Sequence, residues 1–209
     1  QTALARQPDT EYQPLLGDFL PDNETVIQIS ALDSEKWPGF QAIQTLNTVT
    51  GEVIDYGYRR FPFITRQPAW LDDVQMMSFV GDNTPTTADP PANVDNLWIT
   101  GPGTTELADP VLKNVIASTG KGNMVIAVQA EPLQLVQIDA KSREINALPV
   151  DLTNFGKSIG DGYLQMLLHP SLPLLAFFDQ QHFSVLNLDT YQLEIIGIKP
   201  QLPMSDWGL

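Results

Sequence analysis

The chain contains no cysteine. That excludes disulfides, thiolate metal centres, iron–sulfur clusters and covalently attached c-type haem. Basic residues are scarce: 11 Lys and Arg stand against 25 Asp and Glu in 209 residues, a net charge of −14. A surface of that sign repels nucleic acid and anionic membranes, so nucleic acid is not an expected partner. The acids are scattered through loops rather than run together, which reads as solubility. No stretch of 18 consecutive apolar residues occurs, so no segment reads as a membrane-spanning helix. Catalytic signatures are equally sparse. There is no Asp-x-Asp-x-Asp-Gly calcium loop. Gly101-Pro102-Gly103-Thr104-Thr105 lacks the Lys-Ser/Thr pair of a phosphate loop, and Gly120-Lys121-Gly122-Asn123 reads as a hairpin turn. The two histidines, His169 and His182, fall on successive turns, which a meander sends to opposite ends.

What is present is turn chemistry, with 17 Pro and 14 Gly between short runs rich in Val, Ile, Thr and aromatics. Tyr163 to Ile198 shows the unit most clearly. Leu164–Leu168 ends at His169-Pro170, and Leu174–Phe178 ends at Asp179–His182. Ser184–Leu188 alternates polar and apolar residues, Asp189–Gln192 supplies an Asp-led turn, and Leu193–Ile196 follows. Four strands on three turns form an antiparallel meander. Similar units start upstream, with first turns near Pro21, Leu71, Lys121 and Pro170, spaced by 50, 50 and 49 residues. A fixed period of this size marks a repeat architecture.

Pro21-Asp22-Asn23, Asn47-Thr48-Val49-Thr50-Gly51-Glu52, Asp139 to Glu144 and Asp189 to Glu194 resemble the turns of WD40-like and TolB-like β-propeller repeats. There a Pro-Asp-Gly turn joins the first two strands and an Asp-x-x-Thr-Gly-Glu turn the last two. The resemblance covers about residues 15–198. It implies an all-β, propeller-like array of four four-stranded antiparallel blades, closed as four or part of a larger propeller. It carries over no catalytic residue, since the fold hosts enzymes, receptors and scaffolds alike. The expected division is a linker at 1–14, repeats at about 15–67, 68–114, 115–162 and 163–198, and a tail at 199–209. The chain begins with Gln1. Its polar first residues read as following a removed signal peptide or a missing membrane anchor, which gives a secreted, periplasmic or cell-surface expectation.

Three of the eleven basic residues fall in Tyr58 to Arg66, among aromatics. Arg59, Arg60, Phe61, Phe63 and Arg66, with Trp98, are therefore the candidate contacts for a protein partner. The other reading of the arginines is a blade connection paired with loop carboxylates. The expected function is a non-enzymatic, exported interaction or scaffold module acting through propeller loops, with no cofactor. The alternative is a propeller-type hydrolase or lyase, in which Asp72, Asp73, Asp139, Asp161 and Asp179 would converge around a metal. Asn23-Glu24-Thr25 is a glycosylation sequon of chance frequency.

Overall fold

The structure is a computed structural model and describes residues 15–32, 40–60, 68–82, 95–104, 109–153, 164–178 and 183–196. Its fifteen regular elements, counted among those residues, are all β-strands. They are β1 (Leu15–Phe19), β2 (Thr25–Leu32), β3 (Phe40–Asn47), β4 (Val53–Arg60), β5 (Ala69–Leu71), β6 (Met76–Asp82), β7 (Asp95–Thr100) and β8 (Leu112–Lys121). There follow β9 (Met124–Gln129), β10 (Gln134–Asp139), β11 (Ile145–Leu148), β12 (Gln165–Leu168), β13 (Leu174–Phe178), β14 (Phe183–Asn187) and β15 (Leu193–Ile196). Every pairing is antiparallel between consecutive strands. The expected meanders are thus present, and the turns between β1 and β2, β5 and β6, β8 and β9, and β12 and β13 fall where the fifty-residue beat places them.

The strands form sheets of four, seven and four, not four sheets of four. The middle sheet joins the second and third blades because β8 serves both. Its first half pairs with β7 (Leu97 with Leu112, Asp95 with Val115), and its second half pairs with β9. The register slips between Val115 and Ala117, close to Asn114, whose φ is +59°. An Asn at positive φ lets the chain bend there. We call β1–β4 blade one, β5–β7 blade two, β8–β11 blade three and β12–β15 blade four.

Three apolar layers separate the blades. Ile27, Ile43 and Tyr56 of blade one meet Met77, Phe79 and Trp98 of blade two. The opposite face of blade two, with Leu71, Val80, Leu97 and Ile99, meets Val125, Ala127, Val136 and Ile138 of blade three. Blade three's other face, with Ile126, Val128 and Leu135, meets Leu175, Phe177 and Leu186 of blade four. Side chains alternate between faces along each strand, so Val125 and Ala127 go one way and Ile126 and Val128 the other. A blade is one sheet thick and cannot bury either face alone.

Candidate interaction face

An antiparallel meander puts its first and third turns at the same end of the blade. In three blades the third turn has one construction. Asn47 Oδ1 accepts from the Val49 and Thr50 N–H groups (3.0 and 2.8 Å), Asp139 Oδ1 from Lys141 and Ser142 (3.0 and 2.7 Å), and Asn187 Oδ1 from Asp189 and Thr190 (2.9 and 3.1 Å). The fifth residue of each turn has positive φ: Gly51 (+75°), Arg143 (+64°) and Tyr191 (+57°). Its N–H donates to the carbonyl of the first residue at 2.8 or 2.9 Å. The sequence match at Asp189–Glu194 is therefore two residues too late. The turn is Asn187–Gln192, and the side chain that caps it is Asn187. Blade two departs from the pattern, placing Gly101-Pro102-Gly103-Thr104 after β7, with the Thr104 N–H reaching the Gly101 carbonyl (3.4 Å).

Each third turn is stapled to the first turn of its own blade. The N–H groups of Thr48, Ala140 and Leu188 donate to the carbonyls of Glu24, Asn123 and Pro173 at 2.7 to 2.8 Å. Ties also run between blades. Gly122 N–H donates to Asp72 Oδ1 (2.9 Å), and Asp73 N–H to the Gly122 carbonyl (3.3 Å), so blades two and three share a joined end. Gly103 N–H donates to the Asp55 carbonyl (2.8 Å), and the Thr100 hydroxyl to the Tyr56 carbonyl, which ties in blade one. Arg143 reaches from the third turn of blade three to the Ile99 carbonyl of blade two through Nη2 (2.9 Å). Its Nη1 is buried without a partner, and burial lowers the pKa of the guanidinium. An arginine stays charged regardless.

The end built this way is acidic. Asp22, Glu24, Glu52, Asp72, Asp73 and Glu144 are exposed there, against Lys121 and Lys141. Several carboxylates serve the turns themselves. Asp22 accepts from the Thr25 hydroxyl (2.6 Å) and from the N–H groups of Glu24 and Thr25, and these bonds, the hydroxyl first, hold its pKa below the usual value. The Ser142 N–H and hydroxyl do the same for Asp139, and the Thr153 N–H and hydroxyl for Asp151. Hydrogen bonds donated to the ionised form favour it. Apolar side chains stand out at the same end, with Val49 at 68% exposure and Leu172 at 52%.

The sequence-predicted sites fare differently. Trp98 is not a surface contact: it is 2% exposed and stacks on Phe79 (5.7 Å, 10°) in the layer between blades one and two. The exposed-contact reading failed because Trp98 sits mid-strand in a blade buried on both faces. The Arg59 and Arg60 backbones pair with Gln41 and Phe40, at the end of β4 away from the acidic turns. Phe61, Phe63 and Arg66 lie outside the described residues, as do His182, Asp161 and Asp179. Asp72 and Asp139 both bond the blade-three hairpin, Asp72 Oδ1 accepting from the Gly122 N–H and Asp139 Oδ2 from Asn123 Nδ2 (2.9 Å each). No group of three or more His, Asp or Glu able to hold a metal occurs among the described residues. His169 caps its turn, its Nδ1 accepting from the Ser171 and Leu172 N–H groups (3.1 and 2.9 Å). The Arg143 tie was missed by the sequence reading, which placed the turns at Asn47–Glu52 and Asp139–Glu144 but took Asp189 rather than Asn187 as the cap in blade four. The caps were signalled by Asx four residues before Gly, Arg or Tyr.

No protein family and no curated protein matches the sequence. Solved structures do match, and they are of WD40 and propeller type. The Pan2 WD40 domain of Neurospora crassa is 10% identical over 89% of this chain and 53% of its own, with a TM-score of 0.48. AztD from Citrobacter koseri is 9% identical over 90% of this chain and 60% of its own, at 0.41. A putative exported protein from Bacteroides fragilis is 12% identical over 91% of this chain and 61% of its own, also at 0.41. The chain spans about half to three-fifths of the length of these structures.

Proposed function

We propose that the protein is a non-enzymatic interaction module that engages a protein partner through the acidic turn end of its blades. One observation carries this reading: neighbouring blades lock their turn ends together by backbone and Asx hydrogen bonds, while Glu24, Glu52 and Glu144 on that end remain exposed. A surface fixed before binding loses little ordering entropy on association. Its sign suits a partner with a basic patch, whose approach it would steer at low salt. Blades taken at about 15–67, 68–114, 115–162 and 163–198 supply this end in turn. Arg59 and Arg60, at the other end of blade one, together with Phe61, Phe63 and Arg66, which lie outside the described residues, are the second proposed contact, for an acidic or aromatic segment. Function outside the cytoplasm fits a chain with no cysteine. Of the acids that the hydrolase or lyase reading brings together, Asp72 and Asp139 accept backbone N–H groups of turns, and Asp161 and Asp179 lie outside the described residues.

The test is a triple charge reversal, Glu24→Lys, Glu52→Lys and Glu144→Lys, leaving the turn-forming Asp22, Asp72 and Asp139 in place. The variant should fold with an unchanged melting temperature and lose at least tenfold in affinity for the partner that the wild type captures. Equal affinity in 50 mM and 500 mM salt for both proteins would refute an electrostatic turn-end contact.

A further inference from the structure

The caps at the turn end share one geometry. A side-chain acceptor bonded to Cγ takes the N–H groups two and three residues ahead. Asp22, Asn47, Asp139 and Asn187 do this with Oδ1. In the first turn of blade four the acceptor is His169 Nδ1, which takes the Ser171 and Leu172 N–H groups at 3.1 and 2.9 Å. Only a neutral imidazole with its proton on Nε2 can do this. The acceptors differ in how acid affects them. An Asn amide does not titrate, and an ordinary carboxylate stays ionised down to about pH 4. Imidazole is the side chain whose ordinary titration falls between about pH 5 and 8. Once it is protonated, Nδ1 is itself a donor. Three donors then face one another with no acceptor between them.

We propose that the first turn of blade four is a proton-gated element, closed at neutral pH and opened at its tip when His169 is protonated. The opening is confined. The bonds from His169 N–H to the Leu174 carbonyl (2.9 Å) and from Leu188 N–H to the Pro173 carbonyl (2.8 Å) hold the base of the turn, and backbone groups do not titrate. What is released is Pro170 to Leu172, all exposed, with Leu172 at 52%. The strands that the turn joins, β12 and β13, carry no charged residue. In blade four the neighbouring charged groups are Asp189, on the third turn stapled to this one, and Glu194 of β15. The blade-three turns at the same end carry Lys121, Asp139, Lys141, Arg143 and Glu144. Asp189 favours the new positive charge, which offsets part of the lost cap in global stability, so the readout is local. Leu172 stands on the turn end described above as the docking surface. That its release alters docking rests on that reading; the opening itself does not.

Amide protection factors, each referred to the unstructured chain at the same pH, read the opening directly. Between pH 7.5 and pH 5 the Ser171 and Leu172 amides of the wild type should lose about fivefold in protection, as for the loss of one ordinary hydrogen bond. The Val49 and Thr50 amides, capped by Asn47, are the internal control and should hold within about twofold. His169→Asn puts an amide Oδ1 where Nδ1 stands, the arrangement already used at Asn47 and Asn187. It should keep the protection seen at pH 7.5 and abolish the drop. Unchanged protection of Ser171 and Leu172 in the wild type would overturn the proposal. So would an equal drop at Val49 and Thr50, or a drop that survives in His169→Asn. Should the variant fail to fold, the comparison of the two turns within the wild type decides.

Discussion

At Asn47, Asp139 and Asn187 one side-chain oxygen and one left-handed residue four positions later define a turn that recurs in three blades. Gly suits that left-handed position and Tyr does not; a non-glycine residue there costs about 1 kcal/mol. Tyr191→Gly should therefore raise stability by up to about 1 kcal/mol in urea unfolding. Arg143→Gly gains the same relief but loses its bond to the Ile99 carbonyl, about 1.5–3 kcal/mol for a charged donor. It should be net destabilising. The buried hydroxyls of Ser78 and Ser184 have no partner, so Ser78→Ala should be neutral or stabilising by about 1 kcal/mol in the same assay. The lowered pKa values of Asp22, Asp139 and Asp151 make the folded state bind fewer protons than the unfolded one in acid. Their contribution is complete above the unfolded value of about 3.9 and is lost as pH falls through the folded values. Melting temperature should accordingly be flat from neutral pH down to about 5 and fall below about 4. Asp139→Asn should flatten part of that fall.

Strands and turns were the most legible level. Proline and Asx clusters break the apolar runs near Pro21, Leu71, Lys121 and Pro170, and the observed turns lie there. Boundaries were less legible where backbone conformation decides. The run from Val74 to Val80 reads as one strand, yet β6 starts at Met76 because Gln75 stands at φ +51° and closes the turn. Gly120 reads as turn material, but it lies inside β8 for a packing reason. A Cβ there would stand 2.7 Å from Leu71 Cδ2 and 3.2 Å from the Met124 carbonyl oxygen. Leu71 is fully buried and has nowhere to go. Gly120→Ala should cost about 1–3 kcal/mol by overpacking, measured as a lower urea midpoint at constant m. The burial of Trp98 was not legible, because strand periodicity gives the two faces of a sheet without saying that both are covered.

The four blades were readable as a period, and their joining was not. Among the described residues blade two has three strands of its own, and β8 pairs with both its neighbours, a detail set by a register slip near Asn114. The candidate face was partly legible as scattered acids, but the hydrogen bonds that unite turns fifty residues apart, such as Gly122 to Asp72, are properties of stacking. Stacking also sets the energetics: Phe177→Ala, in the layer between blades three and four, should cost about 3–5 kcal/mol, where Leu172→Ala in an exposed turn should cost almost nothing. The most direct test of the repeated-blade architecture is amide hydrogen exchange along the native chain. Protected stretches should coincide with the central strands β2, β3, β6, β7, β9, β10, β13 and β14. Protection should drop between them at Asp22–Glu24, Asp72–Gln75, Gly122–Asn123 and Pro170–Leu172, whose bonded amides pair with turn groups rather than with a neighbouring strand. Continuous protection running through those turns, or protection that ignores the fifty-residue spacing, would contradict it.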